Sequence, residues 1–172
     1  VETKRRNKVP RGLIFVPSPA KVKKEGIRQG PPIEAAYFPI LQSKAFSWRM
    51  SKYLGRPASL KTLNDLAADV VFYYRENDRP VVDVFVPEQD ITTGIVQLVV
   101  SEGRVSDVRV SGNHWVESKR IRDYIRLKHG DAIRAGKLQS DLDWINANPF
   151  RHVNATFARG AQPGETDVAI RT

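Results

Sequence analysis

Three histidines, His114, His129 and His152, are the side chains best suited to metal ligation or proton transfer near neutral pH. Their placement serves neither chemistry. No His-x-x-x-His pair and no His–carboxylate spacing occurs, so surface or capping roles are expected for all three. Serines are present without the G-x-S-x-G turn that exposes a nucleophile. There is no P-loop and no G-x-G-x-x-G, hence no cradle for a nucleotide phosphate. The chain contains no cysteine, which removes disulfides, thiolate metal sites and cysteine nucleophiles together. Asp141 and Asp143 are read as the solvated face of a helix. The expectation is a protein that is not an enzyme, with no cofactor, metal or small-molecule ligand.

Binding chemistry has better candidates. In PEQDI (87–91), Pro87 ends a strand, and Asp90 can fold its carboxylate onto nearby backbone amides. Turn-building is one reading of this segment, and a partner contact through Glu88 or Asp90 is the other. Tyr73 and Tyr74 are adjacent on a helix that turns 100° per residue, so only one is expected to point fully inward. The other would line a groove. In INANPFR (145–151), Asn148–Pro149 closes a helix and Phe150 can pin the strand that follows.

The elements that must hold these residues emerge from an internal repeat. A shift of 75 residues lays Phe46 and Met50 on Ile121 and Ile125, and Gly55 on Gly130. Leu63, Ala67 and Val70 then fall on Leu138, Leu142 and Ile145. Spacings of three and four put each set on one helical face, and each glycine sits where a left-handed cap is expected. A helix after the N-cap Ser59 carries Leu60, Leu63, Ala67, Val70 and Tyr74 on one stripe. Strands follow at Val81–Val86 and Ile95–Ser101, and in the second copy at Arg151–Ala158 and Asp167–Arg171. Arg104–Ser111 opens the second copy, and Gly12–Val16 is chosen to open the first over the proline-flanked Ile33. Alternation of Val82, Val84 and Val86, and of Val96, Leu98 and Val100, implies sheets with one face packed and the other wet. The fold class is therefore α+β: two tandem β-α-α-β-β domains, each a three-stranded sheet with two helices on one face. The first spans 11–103, with an insertion at 17–43 whose Pro17–Pro32 part should be mobile or lie along the surface. The second spans 104–172.

With 172 residues and 41% hydrophobic content, the chain is long enough for two small domains and too apolar to be wholly disordered. Its +9 charge is concentrated. Residues 1–28 hold nine basic and two acidic side chains, leaving only +2 for the remainder. Residues 1–10 are read as a basic linker, not a signal peptide, because no apolar core follows them. Nucleic acid is not the expected partner. A KH domain would show G-x-x-G between helices and an RRM would show aromatic strand motifs, and neither is present.

Four strings in order, YLGRPASL (53–60), VPEQDI (86–91), LVVSEGRVSDVRVSGN (98–113) and INANPFR (145–151), resemble a known family. They are similar to the POTRA pair of TpsB transporters of two-partner secretion, periplasmic modules that precede an outer-membrane β-barrel. The resemblance covers roughly residues 44–172. It implies a periplasmic region that binds a secreted or outer-membrane client polypeptide in extended form and passes it to its own C-terminal barrel after Thr172. A barrel-assembly factor of the same superfamily is the alternative. In this family an edge strand and its neighbouring helix form a peptide groove used by β-augmentation. Here that implies Val81, Asp83 and Phe85 on the first edge with Tyr73 or Tyr74 beside it, and Arg151, Asn154 and Thr156 on the second. Asp83 is expected to turn its side chain to water. A proline there would remove an edge donor if its amide faces outward.

Overall fold

The computed structural model describes residues 9–112, 115–162 and 164–172. Most of the basic linker and His114 therefore lie outside the described residues. The chain forms two compact units. One takes the chain up to Tyr73 together with Val82–Ser101, and the other takes Tyr74–Val81 with Glu102–Thr172.

The first unit holds β1 (Gly12–Val16), β2 (Ile33–Glu34), α1 (Lys44–Ser51), α2 (Leu60–Glu76), β3 (Val82–Phe85) and β4 (Ile95–Glu102), with the end of α2 from Tyr74 and the final residue of β4, Glu102, passing into the other unit. Its sheet runs β2-β1-β4-β3, four strands and not three. The extra strand is the proline-flanked Ile33–Glu34, parallel to β1. Pro32 lacks an amide donor but keeps its carbonyl, and that carbonyl accepts from Leu13 N–H at 2.9 Å. Proline's missing donor thus costs nothing at this position.

The expected wet face is absent from this sheet. All five residues of β1 and the first six of β4 are buried, the signature of strands covered on both sides. On one face Phe15 meets Phe46 of α1 edge-on, with centroids 5.4 Å apart, and Phe46 meets Tyr73 of α2 at 5.0 Å. On the other, Ile14, Val16, Ile95 and Val99 pack with Val22 and Ile27 of the insertion. Gln97, fully buried on that face, holds the insertion in place. Its side-chain amide donates to the Lys23 carbonyl at 2.8 Å, and its side-chain oxygen accepts from Lys23 N–H at 2.9 Å. The segment expected to be mobile or superficial is the second cover of the sheet.

α1 begins at Ser43, whose hydroxyl accepts from Phe46 N–H. Gly55, between α1 and α2, has φ +86°, the left-handed conformation that the repeat predicts. Ser59 caps α2 by accepting from Thr62 N–H at 3.1 Å. The helix is rotated relative to expectation: Leu66, Val70, Tyr73 and Tyr74 are buried, whereas Leu60 is 74% exposed. Asp69 on α2 accepts from Arg49 Nε, Lys52 Nζ and the Tyr53 hydroxyl at 2.8, 2.9 and 2.9 Å, and so locks α1 against α2.

The second unit holds β5 (Arg104–Ser111), α3 (Trp115–Tyr124), α4 (Ala135–Asn146), β6 (Asn154–Arg159) and β7 (Glu165–Arg171). Its three strands run β5-β7-β6, with β5 parallel and β6 antiparallel to β7. Here alternation holds: Thr166, Val168 and Ile170 are buried and their neighbours are not. Ile121, Leu138, Leu142, Ile145 and Val168 are core residues, and Val81 packs against them. Asp141 is not on a solvated face. It is buried and binds Arg126 through Nε at 2.6 Å and the backbone N–H at 2.9 Å. Gly130 repeats the left-handed turn at φ +84°.

Candidate functional site

β3 is an end strand of the first sheet, so one row of its backbone groups has no strand partner. Which row is open follows from one bond. Gly103 N–H donates to the Val81 carbonyl at 2.9 Å, on the β4 side. β3 and β4 are sheet neighbours joined by only nine residues, too short a link for a parallel crossover, so they run antiparallel, and residues of such a pair alternate between bonded and non-bonded positions. By that alternation Asp83 and Phe85 spend their backbone groups on β4, and Val82 and Val84 present theirs to the open edge. Asp83 does turn its side chain to water, but its amide faces inward, so proline there would break the sheet and not the edge.

Side chains alternate in the other sense. Val84 is buried and Phe85 is 40% exposed on the opposite face. Beyond Phe85 the chain leaves the strand at Val86–Pro87 and, with α2, encloses a groove of about 230 Å³. Leu60, Leu63 and Asn64 form the helix wall. Val86, Pro87, Glu88, Gln89 and Ile91 form the other. Gln89 fixes that wall: its side chain donates to the carbonyls of Pro87 and Gln97 and accepts from Gln97 N–H at 2.7 Å. The Asp69 cluster fixes the helix wall. The site is thus a preformed trough, about half of whose lining is apolar, between the start of α2 and the segment that follows the end strand β3.

The sequence-derived residues distribute unevenly over this site. Asp83 and Phe85 lie on β3, and Glu88 lines the groove. Asp90 builds the turn, its carboxylate accepting from Thr92 N–H at 2.9 Å while its own N–H donates to the Lys24 carbonyl. Neither tyrosine lines a groove. Tyr73 is buried with its hydroxyl on Ser43 at 2.7 Å, and Tyr74 is buried with its hydroxyl donating to Glu102 at 2.7 Å. Both adjacent residues are thus turned inward, each with a hydroxyl partner of its own. Val81 has joined the core of the second unit, and its carbonyl is occupied. On the second edge, β6 starts at Asn154 and not at Arg151, because Asn146 clamps Val153 N–H and C=O at 2.6 and 2.9 Å. Asn154 and Thr156 are exposed on β6, and Arg151 precedes the strand. Leu60, Leu63 and Ile91 were missed as groove residues. The available signal was the surplus of apolar positions on α2, more than one stripe can bury.

Residues 33–103 match the family pattern described as POTRA domain, ShlB-type. Over that stretch the chain is similar to POTRA domains. It is 26% identical over 118 residues to the outer membrane transporter CdiB of Dickeya dadantii, covering 69% of this chain and 21% of that protein. It is 23% identical over 124 residues to the heme/hemopexin transporter protein HuxB of Haemophilus influenzae, covering 71% of this chain and 22% of that one. The solved structure of CdiB from Escherichia coli aligns with all of this chain and 28% of its own, with a TM-score of 0.68 at 14% identity. The chain thus spans about a fifth of the length of the curated relatives it matches. The resemblance to the POTRA region of TpsB transporters, read from four short strings, is borne out, as is the α+β class.

Proposed function

We propose that this chain is the periplasmic, POTRA-type client-receiving region of an outer-membrane transporter of the two-partner secretion type. An exported polypeptide, still extended, adds to the open edge of β3 and lays alternate side chains into the groove against α2. It then passes to a β-barrel. The observation that carries this reading is the pairing of an unpartnered strand edge at Val82 and Val84 with a groove walled by an exposed leucine. Main-chain pairing tolerates varied sequence, which suits a receptor for a long unfolded client. The work is binding and protection from premature folding, so the region acts without catalysis, cofactor or metal. The names of the relatives, both transporters, support the same reading.

Site-directed photocrosslinking tests it. A photoreactive residue at Leu60 or Phe85, both exposed, should capture the secreted partner during export. The same probe at Trp144, on the exposed face of α4, should capture far less. Equal capture at all three positions would contradict a specific edge, and capture of nascent barrel proteins in place of a secreted partner would favour an assembly factor.

A further inference from the structure

The groove has a polarity that narrows the class of segment it can hold. Leu60, Leu63, Pro87 and Ile91 supply its apolar half, and Asn64 and Gln89 are polar but neutral. Glu88 is the one ionisable residue among those lining it. Its side chain is exposed, and among the described residues no hydrogen bond or ion pair reaches its carboxylate. Gln89, by contrast, is spent on the Gln97 backbone. A lone, unpaired carboxylate on a trough that is otherwise uncharged stands out in a chain of net charge +9. The volume, about 230 Å³, lies below the ~300 Å³ at which sites for small organic ligands begin, and it suits one or two side chains of a bound strand.

We propose that the groove selects client segments in which an apolar side chain is accompanied by a lysine or arginine. The apolar side chain enters between Leu60, Leu63 and Ile91, and the cation meets Glu88. This rests on the reading that an extended polypeptide pairs with β3. Main-chain bonds then supply affinity, and the groove supplies choice among segments. An exposed ion pair alters affinity only ~2- to 5-fold, so the preference is a bias and not a code. Such a bias fits a receptor that must grip and release many successive stretches of one chain.

Fluorescence anisotropy with the whole chain and two labelled peptides tests this. Both peptides, about ten residues long, alternate valine and threonine around one leucine, and one carries lysine beside the leucine where the other carries glutamate. The lysine peptide should bind ~5-fold tighter, and the preference should shrink at ~0.5 M salt. Glu88→Gln should level the two affinities, and Glu88→Lys should invert their order. Equal affinities for the unaltered chain, or a preference that survives Glu88→Gln, would overturn the proposal. Val82→Pro separates this from the underlying reading. If it abolishes binding of both peptides, edge pairing stands whatever the charge variants show. If both peptides bind it as they bind the unaltered chain, edge pairing fails and the proposal with it.

Discussion

Asp69 is a side chain whose environment pulls in two directions. Burial alone would raise its pKa, but hydrogen bonds from Lys52, Arg49 and Tyr53 outweigh this and hold it below the ordinary carboxylate value. Tyr53 is displaced upward, first by burial and then by the Asp69 carboxylate that accepts its proton. A depressed folded-state pKa means that the unfolded chain takes up the proton first. The stabilisation is therefore complete above the unfolded value of ~3.9 and is lost as pH falls through the lower folded value. Urea titrations should show Asp69→Asn less stable than the parent by ~1–2 kcal/mol at pH 7, with the gap closing below about pH 4. A gap that widens on acidification would contradict the assignment. Gln97 is the second residue on which local order turns. Gln97→Leu leaves the Lys23 amide without its partner and the Lys23 carbonyl with Gly26 N–H alone, and should cost ~1–3 kcal/mol. Hydrogen exchange should find protection lost at Lys23 in that variant. The role of Gln97 was not legible in the sequence, because a polar residue at an alternating strand position reads first as solvent-facing.

At the scale of elements, existence was easier to read than orientation. Both left-handed glycines, both helix pairs and every long strand lie where spacing places them, since periodicity survives whatever covers the element. What periodicity cannot show is how many sides are covered. The apolar runs GLIFV and IVQLVV carried that information, and reading them as alternating strands hid the second face beneath 17–32. The same difficulty rotated α2: two overlapping stripes share Val70, and only packing chooses the one through Leu66. The rotation has a measurable consequence. Leu66→Ala should cost ~2–4 kcal/mol in chemical denaturation, whereas Leu60→Ser should cost under ~0.5 kcal/mol and still weaken peptide binding. Comparable losses of stability from the two would mean that Leu60 belongs to the core. α4 supplies another check. Its first turn lacks a cap from its own N-cap residue, Arg134, and the Asp78 carboxylate accepts from Gly136 N–H at 2.8 Å instead. Asp78→Ala should lower stability by ~1 kcal/mol, with Asp78→Asn closer to the parent because it keeps an acceptor oxygen.

For the molecule as a whole, the repeat organises both units, and in the first a groove walled by Leu60 and Leu63 follows on from an end strand. Leu63 is half-exposed where its repeat partner Leu138 is buried, so the two copies differ at the position that lines the trough. The edge itself was legible from strand order within the repeat. Its usable face was not, because the direction of each amide depends on the single bond between Gly103 and Val81. That bond also selects the decisive variant. Val82→Pro removes an outward amide that no strand of this sheet uses, and proline is tolerated at such edge positions. Val82→Ala trims the same side chain but keeps the amide, and isolates its contribution. The measurement is export of the secreted partner by the full-length transporter carrying each change, with folding checked by thermal melting and barrel insertion checked in membranes. Val82→Pro should fold, insert and export poorly, while Val82→Ala exports normally. Normal export by a folded, inserted Val82→Pro transporter would contradict the claim that clients are received on the open edge of β3.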